Sequence, residues 1–480
     1  MSPLPRFVVL KSVNNGKYLS KISNEESTKK GLQATFLKFH GEEIASPFAK
    51  FEVETAKKNP EFVHIRCCHN NKYLVRLLGE GSSSRSLWIV AAANKSQEDV
   101  DVLSCTMFKP VQSDENHFRF LHVESGRYAR LSKEKEPYTD GLLAGSSSID
   151  TDLQDVYKVF DWESLVVFPK IVAFKLGDKY LSHRWIEGYP YLQFVSTDSG
   201  DQTIANEIST FGDGFVRIRS LSTGNFWRRS PNWIWADSTD STGSDSNTLF
   251  LPIKLADNVV ALRNLGNNCI CKSLTTEGKT DCLNAAVHNI INDAKLEVEE
   301  SVLSRSIYNI NFRRDEGRVY NLKVIEKGHS EADNYTNVEN TVSLKFSYKK
   351  TSASTIGGSV SLKLGVKTPL QIAAIPLIVE GKVEISGEVT TAVQWGKTEA
   401  VETVTETTYS AKVPPMTKTI VTLTGTEGMC DVPFSYTQRD ILHNGDPRIQ
   451  NMDDGIYTGI NMFGFKFDSH QQKLPADYYK

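Results

Sequence analysis

The 480-residue chain has no stretch approaching the roughly 18 apolar residues of a membrane-spanning helix, so no segment is expected to cross a bilayer as a helix. Its opening, MSPLPRFVVLKSVNNG, lacks a basic region followed by a long apolar run. Synthesis without a secretory leader is therefore expected, giving a cytoplasmic or nucleocytoplasmic protein. Basic runs are missing too. With a net charge of -3 and a pI near 6.4, no nucleic-acid partner is expected.

Cysteine is sparse and odd in number. Cys67, Cys68, Cys105, Cys269, Cys271, Cys282 and Cys430 show no paired metal-ligand spacing, so neither a metal nor another cofactor is expected. Buried free thiols in a reducing compartment follow, and the sequons at Asn94 and Asn334 are then expected to stay unmodified. Catalytic signatures are also lacking: HExxH, GxSxG and GxxxxGK[ST] do not occur, and GEGSSS from Gly79 fits GxGxxG poorly. His64, His69, His117 and His122 are scattered through strand-like segments, where structural or surface roles are expected. The reading is not that of an enzyme.

What is present is repetition. FVVLKSVNNGKYLS from Phe7, FVHIRCCHNNKYLV from Phe62 and FRFLHVESGRYARL from Phe118 place Tyr18, Tyr73 and Tyr128 at intervals of 55 and 55. Weaker copies follow in IVAFKLGDKYLSHR from Ile171, FVRIRSLSTGNFWRRS from Phe215 and VVALRNLGNNCICKSL from Val259, with Tyr180, Phe226 and Cys269 spaced by 46 and 43. Each unit reads as a strand, a turn of Asn, Gly or Ser, and a second strand. A break at DWESLVVFPK after the third copy favours two threefold β-trefoils over a six-bladed propeller. No helical period appears among the repeats, but Asp281 to Asn292 is a candidate helix. The expected class is all-β, with domains at 1–160, 161–300 and 301–480.

From about Ser301 the texture changes to long strands rich in Thr, Val, Ser and Glu, with a bend at Pro414 and Pro415. Inside this region, SVSLKLGVKT from Ser359 alternates Val360, Leu362, Leu364 and Val366 with polar residues. VEGKVEISGEV alternates Val379, Val383, Ile385 and Val389 with Glu380, Lys382, Glu384, Ser386 and Glu388. Between them lies PLQIAAIPLI, carrying Leu370, Ile372, Ile375 and Leu377. Two amphipathic arms of about ten residues with an apolar tip match a transmembrane β-hairpin, and Gly357-Gly358 is its expected hinge. Eight lipid-facing side chains would favour insertion by about 10 to 20 kcal/mol. A lone hairpin, however, leaves two unpaired edges in hydrocarbon at several kcal/mol per bare group. Only a closed ring of hairpins from several chains could therefore insert.

The repeat half resembles the amaranthin-like agglutinins of plants, through FVVLKSVNNGKYL, PFAKFEVE, VHIRCCHNNKYLVR, CTMFKP and VFDWESLVVFPK. The last third resembles the aerolysin-type pore-forming domain, through SRSIYNINF, KVPPMTKT and VPFSYTQRD. The double resemblance implies two tandem β-trefoils followed by an elongated aerolysin-like β-domain. It further implies a lectin for Gal/GalNAc-containing glycans, Galβ1-3GalNAc among them, acting in plant defence. The lectin would be a homodimer through its trefoils, and the membrane its partner after assembly into a larger ring. By the same resemblance the first-trefoil sugar contacts fall in RLLGEGSSSRSLW, at Ser84, Arg85, Ser86 and Trp88, and the facing loop SHRWIEGYPY contributes Trp185, Glu187 and Tyr189. Such loops join aromatic faces for C–H groups to polar groups for hydroxyls. In NFWRRSPNWIWA, Trp227, Trp233 and Trp235 read as core, with the last two on one strand face. The alternatives are a cross-linking lectin whose strand-rich third is an oligomerisation stalk, and a protein-interaction scaffold of the fascin kind.

Overall fold

The repeat unit folds as its turn chemistry dictates. In the first copy, Phe7–Ser12 turns back into Tyr18–Lys21 through Asn14-Asn15-Gly16, where Gly16 takes φ +71 and the Ser12 and Gly16 amides close the turn. The computed structural model describes residues 4–78, 87–360, 370, 372, 374–386 and 394–475. Within them, twelve strands from Phe7–Ser12 to Tyr157–Asp161 make one sheet system and twelve from Ile171–Leu176 to Leu296–Glu300 make a second. Each encloses its own core: Leu10, Phe39, Phe51, Phe108 and Tyr157 in the first, Phe174, Ile218, Trp227, Phe250 and Leu262 in the second. These are two β-trefoils.

Two local expectations change. Asn24–Lys30 is a short α-helix between Lys21 and Leu37, stopped by Ser23, whose side chain accepts from the Glu26 amide, and by Gly31 at φ +64. The candidate helix at Asp281 to Asn292 is instead the strand Lys279–Val287, followed by a single 3-10 turn at Asn292–Ala294. Pairing with Ile270–Thr276 and burial of Cys282, Leu283 and Ala285 override the local propensity.

The remaining chain is a sheet of long strands ordered Ser304–Phe312, Thr417–Ile441, Pro447–Lys473, Asn340–Gly357 and Thr398–Val413, with Arg318–Asn334 also paired to Thr417–Ile441. Strands of 25 and 27 residues span about 80 to 90 Å at about 3.3 Å per residue, so this domain is elongated. The bend at Pro414 and Pro415 is held by Asn334, whose buried amide donates to the Val338, Val413 and Pro414 carbonyls at 2.7, 2.9 and 3.1 Å. The described residues fall into two compact units, one of Met1–Arg305 with Gln438–Gln450 and one built from Ser306–Gly358 and Asn451–Lys480 with the strands between them. No described helix is long and apolar enough to cross a membrane.

Candidate functional site

In the second trefoil, Lys179–Ile186 and Tyr189–Ser196 form a hairpin closed by Glu187 and Gly188, both at positive φ (+51 and +81), the conformation of a type I′ turn. Lys279 Nζ lies 2.8 Å from the Glu187 carboxylate, and this hydrogen bond raises the Lys279 pKa. Register divides the candidate residues. Trp185 opposes Pro190 on one face, where its ring meets the His183 ring edge-on at 5.5 Å and is 68% exposed. Tyr189 opposes Ile186 on the other face and stacks on Trp235 at 4.4 Å and 17°. Trp185, Glu187 and Tyr189 thus share one tip without converging.

The face carrying Tyr189 is the richer one. Tyr191 and Arg228 both pair with Trp235, and Arg228 grips Asp237 with two hydrogen bonds of 3.0 and 2.6 Å. The result is a half-exposed aromatic surface flanked by a fixed cation and anion, a combination suited to a ligand with C–H faces and hydroxyls. Tyr191 is buried against Trp235, ring centres 5.5 Å apart, and burial raises its pKa. Trp235, Arg228 and Asp237 were not among the expected contacts. The alternation that put Trp233 and Trp235 on one face was visible in the chain. Trp233 is buried while Trp235 lies half-open, and that follows from the strand beside it.

The first-trefoil loop reads differently. Ser84, Arg85 and Ser86 lie outside the described residues. Trp88 is 4% exposed, stacked on Tyr138 at 5.3 Å and tilted against Phe36 at 5.1 Å. A Cβ at Gly141 would come within 2.8 Å of its ring. Trp88 is a packing residue, which corrects its expected place at a sugar.

The segment expected to form a membrane hairpin folds against the protein's own core where it is described. Ile375–Val379 pairs with Lys382–Ser386 about a polar two-residue turn, Glu380 at φ +49 and Gly381 at φ +80, so part of the expected apolar tip is a strand. Its physical reason is burial: Ile378 and Val383, directly cross-strand, enter a core with Ile307, Val432, Phe434 and Tyr457. Leu370, Ile372 and Ile375 pack partly buried against that core. Asn461 clamps the strand, accepting from the Ile378 amide and donating to its carbonyl, both at 2.9 Å. Leu377 is half-buried, whereas Val379 and Ile385 are 40% and 41% exposed and Val360 is 44% exposed. Leu362, Leu364, Val366 and Val389 lie outside the described residues. At the expected hinge, a Cβ on Gly358 would meet the Asp454 carboxylate at 2.9 Å and the Tyr436 hydroxyl at 3.0 Å, so a larger residue there would displace those side-chain ends.

Among the described residues no group of three or more His, Cys, Asp or Glu side chains is arranged to hold a metal. The Agglutinin domain model matches the chain twice, over residues 2–161 and 166–300. No curated protein matches. Among solved structures, a lamprey immune protein is similar over 65% of this chain and 94% of its own, at 12% identity and a TM-score of 0.31. An aerolysin-like protein of Bombina maxima is similar over 35% and 99%, at 16% identity and 0.24. The parasporin-2 toxin of Bacillus thuringiensis, described as recognising cancer cells, is similar over 35% and 74%, at 14% identity and 0.21.

Proposed function

Since the chain belongs to the agglutinin family, we propose that it is a lectin for Gal/GalNAc-containing glycans whose strand-rich third assembles on a glycan-bearing membrane as a β-barrel pore. The observation that carries the pore reading is a register. Asn340–Gly357 and Thr398–Val413 pair one-for-one from Asn340↔Val413 to Thr355↔Thr398, and there Gly396, at φ +73, turns the second strand away. Continued past that point, the same register would bring Pro376 beside Leu377 at an apolar tip. It would set Val360, Leu364 and Leu370 opposite Val393, Val389 and Val383 on one face. The other face would carry Lys363 and Lys367 with Glu384 and Glu388. A shift of one residue would destroy this segregation, so the long pair supports a hairpin that extends it.

Magnitudes identify the controlling step. Burial of Ile378 and Val383 with the two Asn461 hydrogen bonds holds the folded-back hairpin by about 5 to 8 kcal/mol. That is less than the insertion gain of about 10 to 20 kcal/mol per chain, which is realised only when neighbouring strands pair the edges. Assembly is therefore the barrier, and glycan binding lowers it by raising local concentration. On this reading the trefoils dimerise around the sugar, with Trp185, Glu187 and Tyr189 contributing from the second trefoil and Ser84, Arg85 and Ser86 from the first. The chain is made cytoplasmic or nucleocytoplasmic, becomes membrane-associated when active, and serves in plant defence.

The test is dye release from vesicles with and without a Galβ1-3GalNAc-bearing glycolipid. Glycan-dependent release is the expected result. Binding without release would return the third domain to an oligomerisation stalk, and no binding would remove the lectin assignment.

A further inference from the structure

The second repeat of each trefoil places the same ion pair at the same register. In the first trefoil Glu52 opposes Arg66, and Arg66 opposes Tyr73; in the second Glu207 opposes Arg219, and Arg219 opposes Phe226. What surrounds the pair differs. Tyr73 donates its hydroxyl to Glu54 at 2.7 Å, and the Glu52 and Arg66 side chains are each only 5% exposed. The seat is filled by the protein itself. Tyr18 and Tyr180 likewise donate to carboxylates, those of Asp213 and Glu299, at 2.7 Å each.

Phe226 has no hydroxyl to donate, and Ser209 stands where register puts Glu54 in the first trefoil. A cavity of about 430 Å³ opens there, lined by Glu207, Ser209, Arg219, Asn225, Phe226 and Thr239 among others. The Glu207 and Arg219 side chains are 23% and 39% exposed. Resting on the lectin reading, we propose that this cavity is a second carbohydrate site on the second trefoil, separate from the Tyr189 hairpin tip, taking one neutral pyranose residue through a vicinal diol. Glu207 and Arg219 form a locked pair that accepts from one hydroxyl and donates to its neighbour. Asn225, Ser209 and Thr239 supply further polar groups, and Phe226 supplies an apolar wall. The guanidinium of Arg217, which opposes Ser209, is centred 3.9 Å from the Phe226 ring and packs on that wall. Glu207 engages both Arg219 and, at 3.5 Å, Lys170, so each of these charges is already paired and a ligand meets hydrogen-bonding groups, as the hydroxyls of a neutral sugar require. Burial works against ionisation of Glu207, but the Arg219 hydrogen bond and the Lys170 charge outweigh it and keep the pKa low, so the acceptor stays ionised at neutral pH.

The first trefoil supplies a variant that closes the cavity without removing core. Ser209→Glu with Phe226→Tyr recreates the Tyr73 and Glu54 bond. Saturation-transfer NMR and titration with the methyl glycosides of galactose, N-acetylgalactosamine, glucose and mannose would be run on the full chain, on Tyr189→Ala with Trp185→Ala, and on that variant with the cavity closed. Melting temperatures would check each fold. The expected result is residual binding of at least one glycoside by the tip variant, weakened at least tenfold once the cavity is closed. Residual binding unchanged by closure, or no residual binding at all, overturns the second site while leaving the lectin reading standing. Failure of the unaltered chain to bind any sugar overturns both.

Discussion

The trefoils and the strand-rich third are both all-β, yet they use their apolar residues in opposite ways. The trefoils spend them on two closed cores of short strands, with Phe51, Phe108, Phe174 and Trp227 at or near zero exposure. The third spreads them along strands such as Arg318–Asn334, most of whose side chains are exposed or half-exposed, and gathers them into two smaller clusters. A core closed by non-local contacts fixes one arrangement. On the proposed pore reading, a long sheet with a small core leaves a second arrangement within reach, because little burial would be lost if one hairpin left.

The largest effect that tests this contrast is Ile385→Asp. The side chain is 41% exposed in the described fold, so stability should move by no more than about 0.5 kcal/mol. In the proposed extended register it would face lipid, where a charge costs about 2 to 4 kcal/mol per chain near the bilayer centre, multiplied around a ring. Dye release should fall at least 100-fold with sugar binding unchanged, and retained release would remove the lipid-face assignment. Val383→Asp is the poorer choice, since Val383 is buried and the domain would unfold first.

Next is a pair of tryptophans. Trp88→Ala should destabilise the first trefoil by about 3 to 5 kcal/mol, read by calorimetry. Trp185→Ala should leave the melting temperature unmoved and weaken glycan binding about tenfold, about 1.4 kcal/mol. The reverse pattern would exchange their roles.

Asn461→Ala sharpens the detachable half. Loss of two hydrogen bonds, about 2 kcal/mol, should raise hydrogen exchange across residues 375–386. Unchanged protection there would show that the clamp is not what holds the hairpin.

The smallest effect is a pH slope confined to the trefoils. Burial lowers the pKa of His122, which bonds the Cys105 carbonyl and lies near Glu124 and Arg76, and burial with the Arg184 charge lowers that of His183. A depressed folded-state pKa contributes stability that is present above the unfolded value of about 6.5 and lost as pH falls through the folded value. The trefoil transition should therefore drop between pH 7.5 and pH 5, and His122→Gln should flatten the slope. An equal slope in the variant would locate the titration elsewhere.

Much of this was legible in the chain because it is local. Tyrosines at intervals of 55 and 55, turn residues between paired strands and strict alternation at Val360 to Val366 are patterns along the chain itself. They fix an all-β chain, its two trefoils and the side-chain parity on which an extended hairpin relies. What the sequence could not hold is partnership at a distance. Trp88 is buried because Phe36 and Tyr138, far away in the chain, close over it. The apolar stretch before Glu380 is a strand because Asn461 and Phe434 receive it. Tyr189 becomes part of an aromatic surface only through its stack on Trp235, and the Glu207 cavity opens where Phe226 and Ser209 stand at the register of Tyr73 and Glu54. Periodicity determines which face of a strand is apolar, and tertiary structure alone decides what that face meets, because burial is a property of the neighbours and not of the residue.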